Sequence, residues 1–112
     1  MYKKLGQIAV QFPLLHCEEC AATLRQWLIQ RKIPGKLWRV STCYDTEDFI
    51  LSHRLEQQEC FESITENGTH YGIEVFGIVF DNLSERGLSP ENWANDFSSL
   101  SNEFEIEVIE EF

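Results

Sequence analysis

The chain predicts an α+β domain in which N-terminal helices pack on a small, mostly antiparallel sheet, and the order of its periodicities carries that prediction. Apolar residues recur at helical spacing up to about residue 30 and then alternate with polar ones from residue 36 onward. Helical punctuation returns in one short segment near residue 90. Helices first and strands after, with one late helix, is the signature of an α+β arrangement.

Each element follows from its own residues. In KKLGQIAVQF, Leu5, Ile8, Ala9 and Phe12 fall at helical spacing, giving a short first helix that ends near Pro13. From Cys17, the residues Cys17, Cys20, Ala21, Leu24, Trp27 and Leu28 line one face of an amphipathic helix of about four turns. Pro34 and Gly35 in RKIPG close it. KLWRVST alternates and is rich in β-formers, and EDFILS predicts a second short strand. Asn67-Gly68 in ENGTH is a turn signal. HYGIEV and GIVFDN are two apolar β-type runs joined tightly around Phe76-Gly77. SPENWANDF opens with Ser89 as N-cap, Pro90 at the first helical position and Glu91 in the first turn. In EFEIEVIEEF, Phe104, Ile106 and Val108 alternate with glutamates, which predicts a half-exposed final strand. No repeat, low-complexity segment or linker divides the chain, so residues 1–112 are expected to form one domain.

A hydrophobic content of 43% with 12% aromatics describes a chain with a real core. Nineteen acidic against nine basic residues give a formal charge of −10. Such a surface repels phosphate backbones, which argues against general nucleic-acid or anionic-membrane binding. MYKKLGQIAV has only a short apolar run, broken by Gln7 and followed by Gln11, and reads as neither a signal peptide nor a spanning helix. The expectation is a cytoplasmic protein, or one delivered without a cleavable signal, whose Cys17, Cys20, Cys43 and Cys60 are reduced thiols.

HCEECAATLRQWL raises the question of chemistry, because its two cysteines run straight into a helix. A structural zinc site wants four ligands in two close pairs. Here one C-x-x-C stands alone, while Cys43, Cys60, His16, His53 and His70 show no knuckle spacing, so no metal is expected. A thioredoxin-type couple follows a central strand, whereas QFPLL before this pair reads as a helix end and a turn. The third reading is a nucleophile. A cysteine at a helix N-terminus faces unpaired N–H groups and the positive end of the dipole, both of which favour a thiolate. Cys17 holds that position, while Cys20 lies one turn in on the face of Leu24 and Trp27. The plain alternative is that both are small buried hydrophobes.

A cysteine nucleophile needs a base, and the base needs an orienting group. If Phe76-Gly77 are the two turn residues of a hairpin, His70 and Asp81 fall on one face of adjacent strands as diagonal neighbours. Their backbones then sit roughly 7–8 Å apart, a gap that an imidazole and a carboxylate close with a hydrogen bond. Taken singly, His70 reads equally as a surface or core histidine and Asp81 as a turn residue. The order Cys…His…Asp, with the cysteine opening a helix and the histidine opening a strand, is what joins them. Trp38, Tyr71 and Trp93 are cleft candidates that read equally as core, and His16 reads as solvent-facing.

That order is the papain-like one. FPLLHCEECA, IPGK, SITENGTHYGIEV and VFDNLSERGLSPENW together resemble the papain-fold toxin domains of bacterial polymorphic toxin systems, most closely papain fold toxin 2, a family met in cyanobacteria and other bacteria. The resemblance runs from about Phe12 to the final strand. It implies a compact papain-like fold, a cysteine nucleophile, His70 as base and Asp81 as its orienting residue. Which cysteine acts stays open. In papain-like peptidases the second cysteine of a C-x-x-C is catalytic and precedes an aromatic residue, but Cys20 precedes Ala21. In the same peptidases a glutamine six residues before the nucleophile donates to the oxyanion. Gln11 stands six before Cys17, and Leu14, which cannot donate, six before Cys20. Gln11 reads equally as an exposed polar residue of the first helix.

The resemblance implies a cysteine hydrolase of peptidase or glutamine deamidase type, a bacterial toxin or effector acting on a protein substrate, without a cofactor. It also implies an immunity protein as partner. The contrasting expectation is a catalytically silent module of the same fold that binds a protein partner through its acidic surface. Alanine at Cys17, Cys20 or His70 separates the two, since only the hydrolase loses its effect.

Overall fold

The computed structural model describes residues 1–112. Two helices, α1 (Tyr2–Ala9) and α2 (Cys17–Gln30), precede a four-stranded sheet built from β1 (Lys36–Thr42), β3 (Thr69–Val75), β4 (Ile78–Phe80) and β6 (Phe104–Glu111). The sheet order is β4-β3-β1-β6, and every neighbouring pair is antiparallel. Between these elements lie β2 (Leu51–Ser52), α3 (His53–Glu56), α4 (Pro90–Ala94) and β5 (Phe97–Ser98), with β2 and β5 pairing as a small second sheet. The α+β class read from the sequence is the class observed.

The sheet separates two cores. On one face, Leu5 and Ala9 of α1 and Cys20, Ala21, Leu24 and Leu28 of α2 pack on Ile73, Val75 and Phe80. On the other, Val40 and Val79 pack under Ile50, Leu55, Ile64, Trp93 and Phe97. The pleat sends alternate residues of β3 to opposite faces. Ile73 and Val75 therefore meet the long helices, while His70 stands beside its partner Val40 on the face of α3 and α4. Gly72 lies on that second face, where a Cβ would come within 2.7 Å of Val79 and 3.0 Å of the Trp93 indole. Its bare backbone lets Trp93 lie across the strand.

The β3–β4 hairpin turns on Phe76 and Gly77, with φ of 47° and 82°. Positive φ at both central residues is the type I′ geometry that matches strand twist, and Phe76 adopts it with its ring exposed. The register that follows pairs Ile73 with Phe80, so β4 covers only Ile73 to Val75 and leaves the Thr69–Gly72 half of β3 without a strand on that side.

Two expectations differ in detail, and one element had no sequence signal. EDFILS forms a strand only at Leu51–Ser52, because Ile50 bonds instead to the Ile64 N–H and the Ser63 hydroxyl. The first helix ends at Ala9, and Gln11 lies in the turn beyond it. The four-residue α3 follows no periodicity, and its start is satisfied from a distance: the His53 N–H donates to the Asp96 carbonyl and the Arg54 N–H to the Asp96 carboxylate. No helix is long and apolar enough to cross a membrane.

Candidate active site

Cys17 is the first residue of α2, and Glu18 and Glu19 beside it complement the positive end of the dipole. His16 occupies the N-cap position without a side-chain cap, because its imidazole turns outward to Glu19 at 2.5 Å. The N–H groups of this first turn thus receive nothing from the side chain that usually satisfies them. Cys17 is 6% exposed, and its Sγ lies 3.9 Å from the Thr69 carbonyl, on the half of β3 that β4 leaves open. Cys20 sits in the core, its Sγ 3.7 Å from the Ala9 carbonyl. Burial first, then the nearby charges of Asp81 and Cys17, push the Cys20 thiol up to about 12, so it stays protonated.

His70 is held by the turn that precedes it. The Asn67 Oδ1 accepts from the Thr65 hydroxyl and the Thr69 N–H, and the Thr65 Oγ1 accepts from the Asn67 N–H. Gly68, at φ 75°, passes so close to Glu47 and Thr42 that a Cβ would lie 2.5 Å from the Glu47 carbonyl. The imidazole is fully buried, stacked on Trp93 at 6.1 Å and edge-on to Phe97 at 5.4 Å. Its Nε2 lies 3.0 Å from Asp81 Oδ2. Its Nδ1 is buried without a hydrogen bond in the fold, and the Cys17 thiol is the other polar side chain that acts on the ring. Burial pulls the imidazole down, but the hydrogen bond to Asp81 outweighs it, and with Cys17 the ring rises from 6.5 to about 9.

Asp81 follows β4 directly and is 2% exposed. Its Oδ2 accepts from His70, from the Trp93 indole N–H at 2.9 Å and from Arg54 Nη2 at 2.8 Å. Its Oδ1 accepts from Arg54 Nη1 at 2.9 Å and the Leu83 N–H at 3.1 Å. Burial raises the carboxyl, yet the Arg54 charge and the bond to His70 prevail and hold it well below the usual carboxylate range. Arg54 in turn donates through Nε to Asp96 at 2.8 Å and through Nη1 to the Ser84 hydroxyl. Asp96 also accepts from the Ser52 hydroxyl. A chain of charged groups thus runs from the imidazole through carboxylate and guanidinium to a second buried carboxylate.

The hairpin register therefore brings His70 and Asp81 together, and the helix start brings Cys17 to the same place. Gln11 is exposed, and its side chain forms no hydrogen bond. It is not among the residues lining the cleft at Cys17, a cavity of about 240 Å³ between Leu15, Cys17, Glu18 and the Thr65–Thr69 loop. Trp38 donates to Glu74, Trp93 is fully buried and Tyr71 lines the cleft. The four cysteines are free thiols, and no three His, Cys, Asp or Glu side chains converge as a metal site would require. Arg54, Asp96 and the indole of Trp93 are members of the network that the sequence reading missed. Asn82, beside Asp81, is another. It donates to the Pro13 carbonyl at 2.9 Å and so ties the end of β4 to the loop that leads into Cys17.

No curated protein and no solved structure matches the chain. The model of one family, described as Papain fold toxin 2, matches residues 1–98. That stretch takes in every element from α1 to β5 and the whole of the buried network. With this much of its length matched, the chain belongs to the papain fold toxin 2 family.

Proposed function

We propose that the chain is a toxin acting as a cysteine hydrolase on a protein substrate, as a peptidase or glutamine deamidase, through Cys17, His70 and Asp81. One observation carries the reading: a buried imidazole has one nitrogen on a buried carboxylate and the other free of any hydrogen bond beside a thiol at a helix start. Catalytic hydrogen bonds are often long in free sites and tighten with substrate.

The chemistry follows the atoms. His70 already holds the proton as an imidazolium beside the Cys17 thiolate, and the thiolate attacks an amide carbonyl, forming the S–C bond and an oxyanion. The uncapped first turn of α2 offers its N–H groups to that oxyanion, each such donor being worth on the order of 10²–10³ in rate. Gln11 would join them only by swinging in from its exposed position. The imidazolium protonates the departing nitrogen as the C–N bond breaks, leaving a thioester. Water, giving its proton to His70, then attacks that thioester, and the C–S bond breaks to release the acid and restore the thiolate beside the imidazolium. Asp81 keeps the ring oriented and stabilises its charged form. Cys20 takes no part. As a toxin module, the chain is expected to meet a neutralising immunity protein.

Growth of an expressing host tests the reading. The wild-type chain should arrest growth, Cys17→Ala and His70→Ala should not, and Cys20→Ala should behave as wild type. Arrest by folded Cys17→Ala, or its loss only in Cys20→Ala, refutes it.

A further inference from the structure

Two cavities meet at Glu18 and Tyr71. The first is the cleft at Cys17. The second, about 280 Å³, lies along α2, where Ala21 and Ala22 face Leu37 of β1 and Ile109 of β6. Because Glu18 and Tyr71 line both, the two cavities adjoin, and together they mark a shallow groove that leads from Cys17 along the flank of the helix.

Its chemistry changes along its length. The stretch along α2 is apolar, and the cations at its edge are engaged, Arg25 by both oxygens of Glu110 at 2.6 Å each and Arg39, beside Tyr71, by Glu107. The end at Cys17 carries Glu18 and Glu66, and no cation of this chain pairs with either. Uncompensated charge near the thiol is therefore negative, on a chain whose formal charge is already −10. Each cavity is smaller than the roughly 300–1,000 Å³ of a small-molecule pocket. A groove of this size takes one side chain at a time, which suits an extended polypeptide better than a compact ligand.

We infer that this groove seats the substrate, an extended polypeptide segment with an apolar side chain against Ala22, Leu37 and Ile109 and a Lys or Arg side chain beside Glu18 and Glu66. Continuity with Cys17 fixes which surface the polypeptide uses, and the unpaired carboxylates fix the charge it brings. The same field draws cationic segments toward the cleft before contact. The inference rests on the hydrolase reading.

The test compares two labels of Cys17 by mass spectrometry. One is iodoacetamide, which needs only the thiolate; the other is a dipeptidyl vinyl sulfone carrying Leu and Lys, which needs the groove. In the vinyl reagent the thiolate adds to the vinyl carbon β to the sulfone, the C=C π pair moves to the α carbon that the sulfone stabilises, and the imidazolium delivers the proton there. On the wild-type chain, the Leu-Lys reagent should label at least tenfold faster than its Asp-Glu counterpart. Glu18→Gln combined with Glu66→Gln should shrink that preference severalfold, and Ala22→Trp should lower the vinyl-to-iodoacetamide ratio about tenfold. Equal labelling of wild type by the two vinyl reagents overturns the groove even if a variant fails to fold. A Cys17 no more reactive to iodoacetamide than Cys43 overturns the hydrolase reading, and the groove with it.

Discussion

Replacing Arg54 by methionine removes a guanidinium that is wedged between two buried carboxylates. Its side chain is 15% exposed, and it gives two N–H bonds to Asp81 and one to Asp96, all between 2.8 and 2.9 Å. Methionine fills much of the volume but leaves Asp81 and Asp96 facing each other without their shared cation. Breaking a buried pair from one side costs about 3–5 kcal/mol, because a charge stays behind in a poorly solvating place. A domain of this size has roughly 5–15 kcal/mol in all, so the variant should lose a large fraction of its stability. Urea denaturation at pH 7 measures the loss. In a thermal scan each kcal/mol moves the midpoint by roughly 4 °C, giving a fall of about 12–20 °C. The acid limb should move as well. Asp81 is depressed in the fold, so its contribution is whole above the ordinary carboxylate range and is lost as pH falls. Without Arg54 the carboxyl is held down less, so this contribution is smaller and is exhausted at a higher pH. A loss under about 1 kcal/mol, with the acid limb unmoved, would show that Arg54 does not anchor the carboxylate under His70.

Two further predictions concern the same network. The His70 ring should titrate near 9 by NMR against an ordinary 6.5. Because the value is raised, the protonated ring's contribution, about 3 kcal/mol for such a rise, is complete below pH 6.5 and is lost as pH climbs through 9. Cys17→Ala should lower the midpoint, since the thiol raises it, and a wild-type midpoint at or below 6.5 would contradict the buried imidazolium. Gly68→Ala should destabilise by about 2 kcal/mol or more, from a side chain at positive φ and a Cβ 2.5 Å from the Glu47 carbonyl. Since Gly68 sets the turn before His70, its nucleophile labelling should fall with its melting temperature.

What the sequence revealed is what depends on local pattern. The pairing of His70 with Asp81 follows from counting outward from Phe76-Gly77, because a two-residue turn fixes register and register fixes which side chains share a face. The start of α2 follows from apolar spacing after Pro13, and the role of Ser89 from its accepting the Asn92 N–H. Arg54 was invisible for the opposite reason. It sits in a four-residue helix after a two-residue strand, and its partners lie 27 and 42 residues away. No period exists over so short a segment. Its helix is held by Asp96 from another part of the chain rather than by its own N-cap. Trp93 was read as either cleft or core. It is core by burial, yet its indole N–H serves Asp81, which composition has no means of showing.

The complete burial of His70 has a consequence for the order of events in the proposed reaction. The imidazole has no surface of its own, so the site touches solvent only at the thiol, through the cleft that the substrate would fill. Water for the second half-reaction would enter by that same cleft. It arrives only after the first fragment has left, which imposes a ping-pong sequence by architecture rather than by affinity. A small amine that slips in behind that fragment would intercept the thioester and leave with the acyl group. A hydrolase built this way would then transfer as well as hydrolyse wherever such amines compete with water for the cleft.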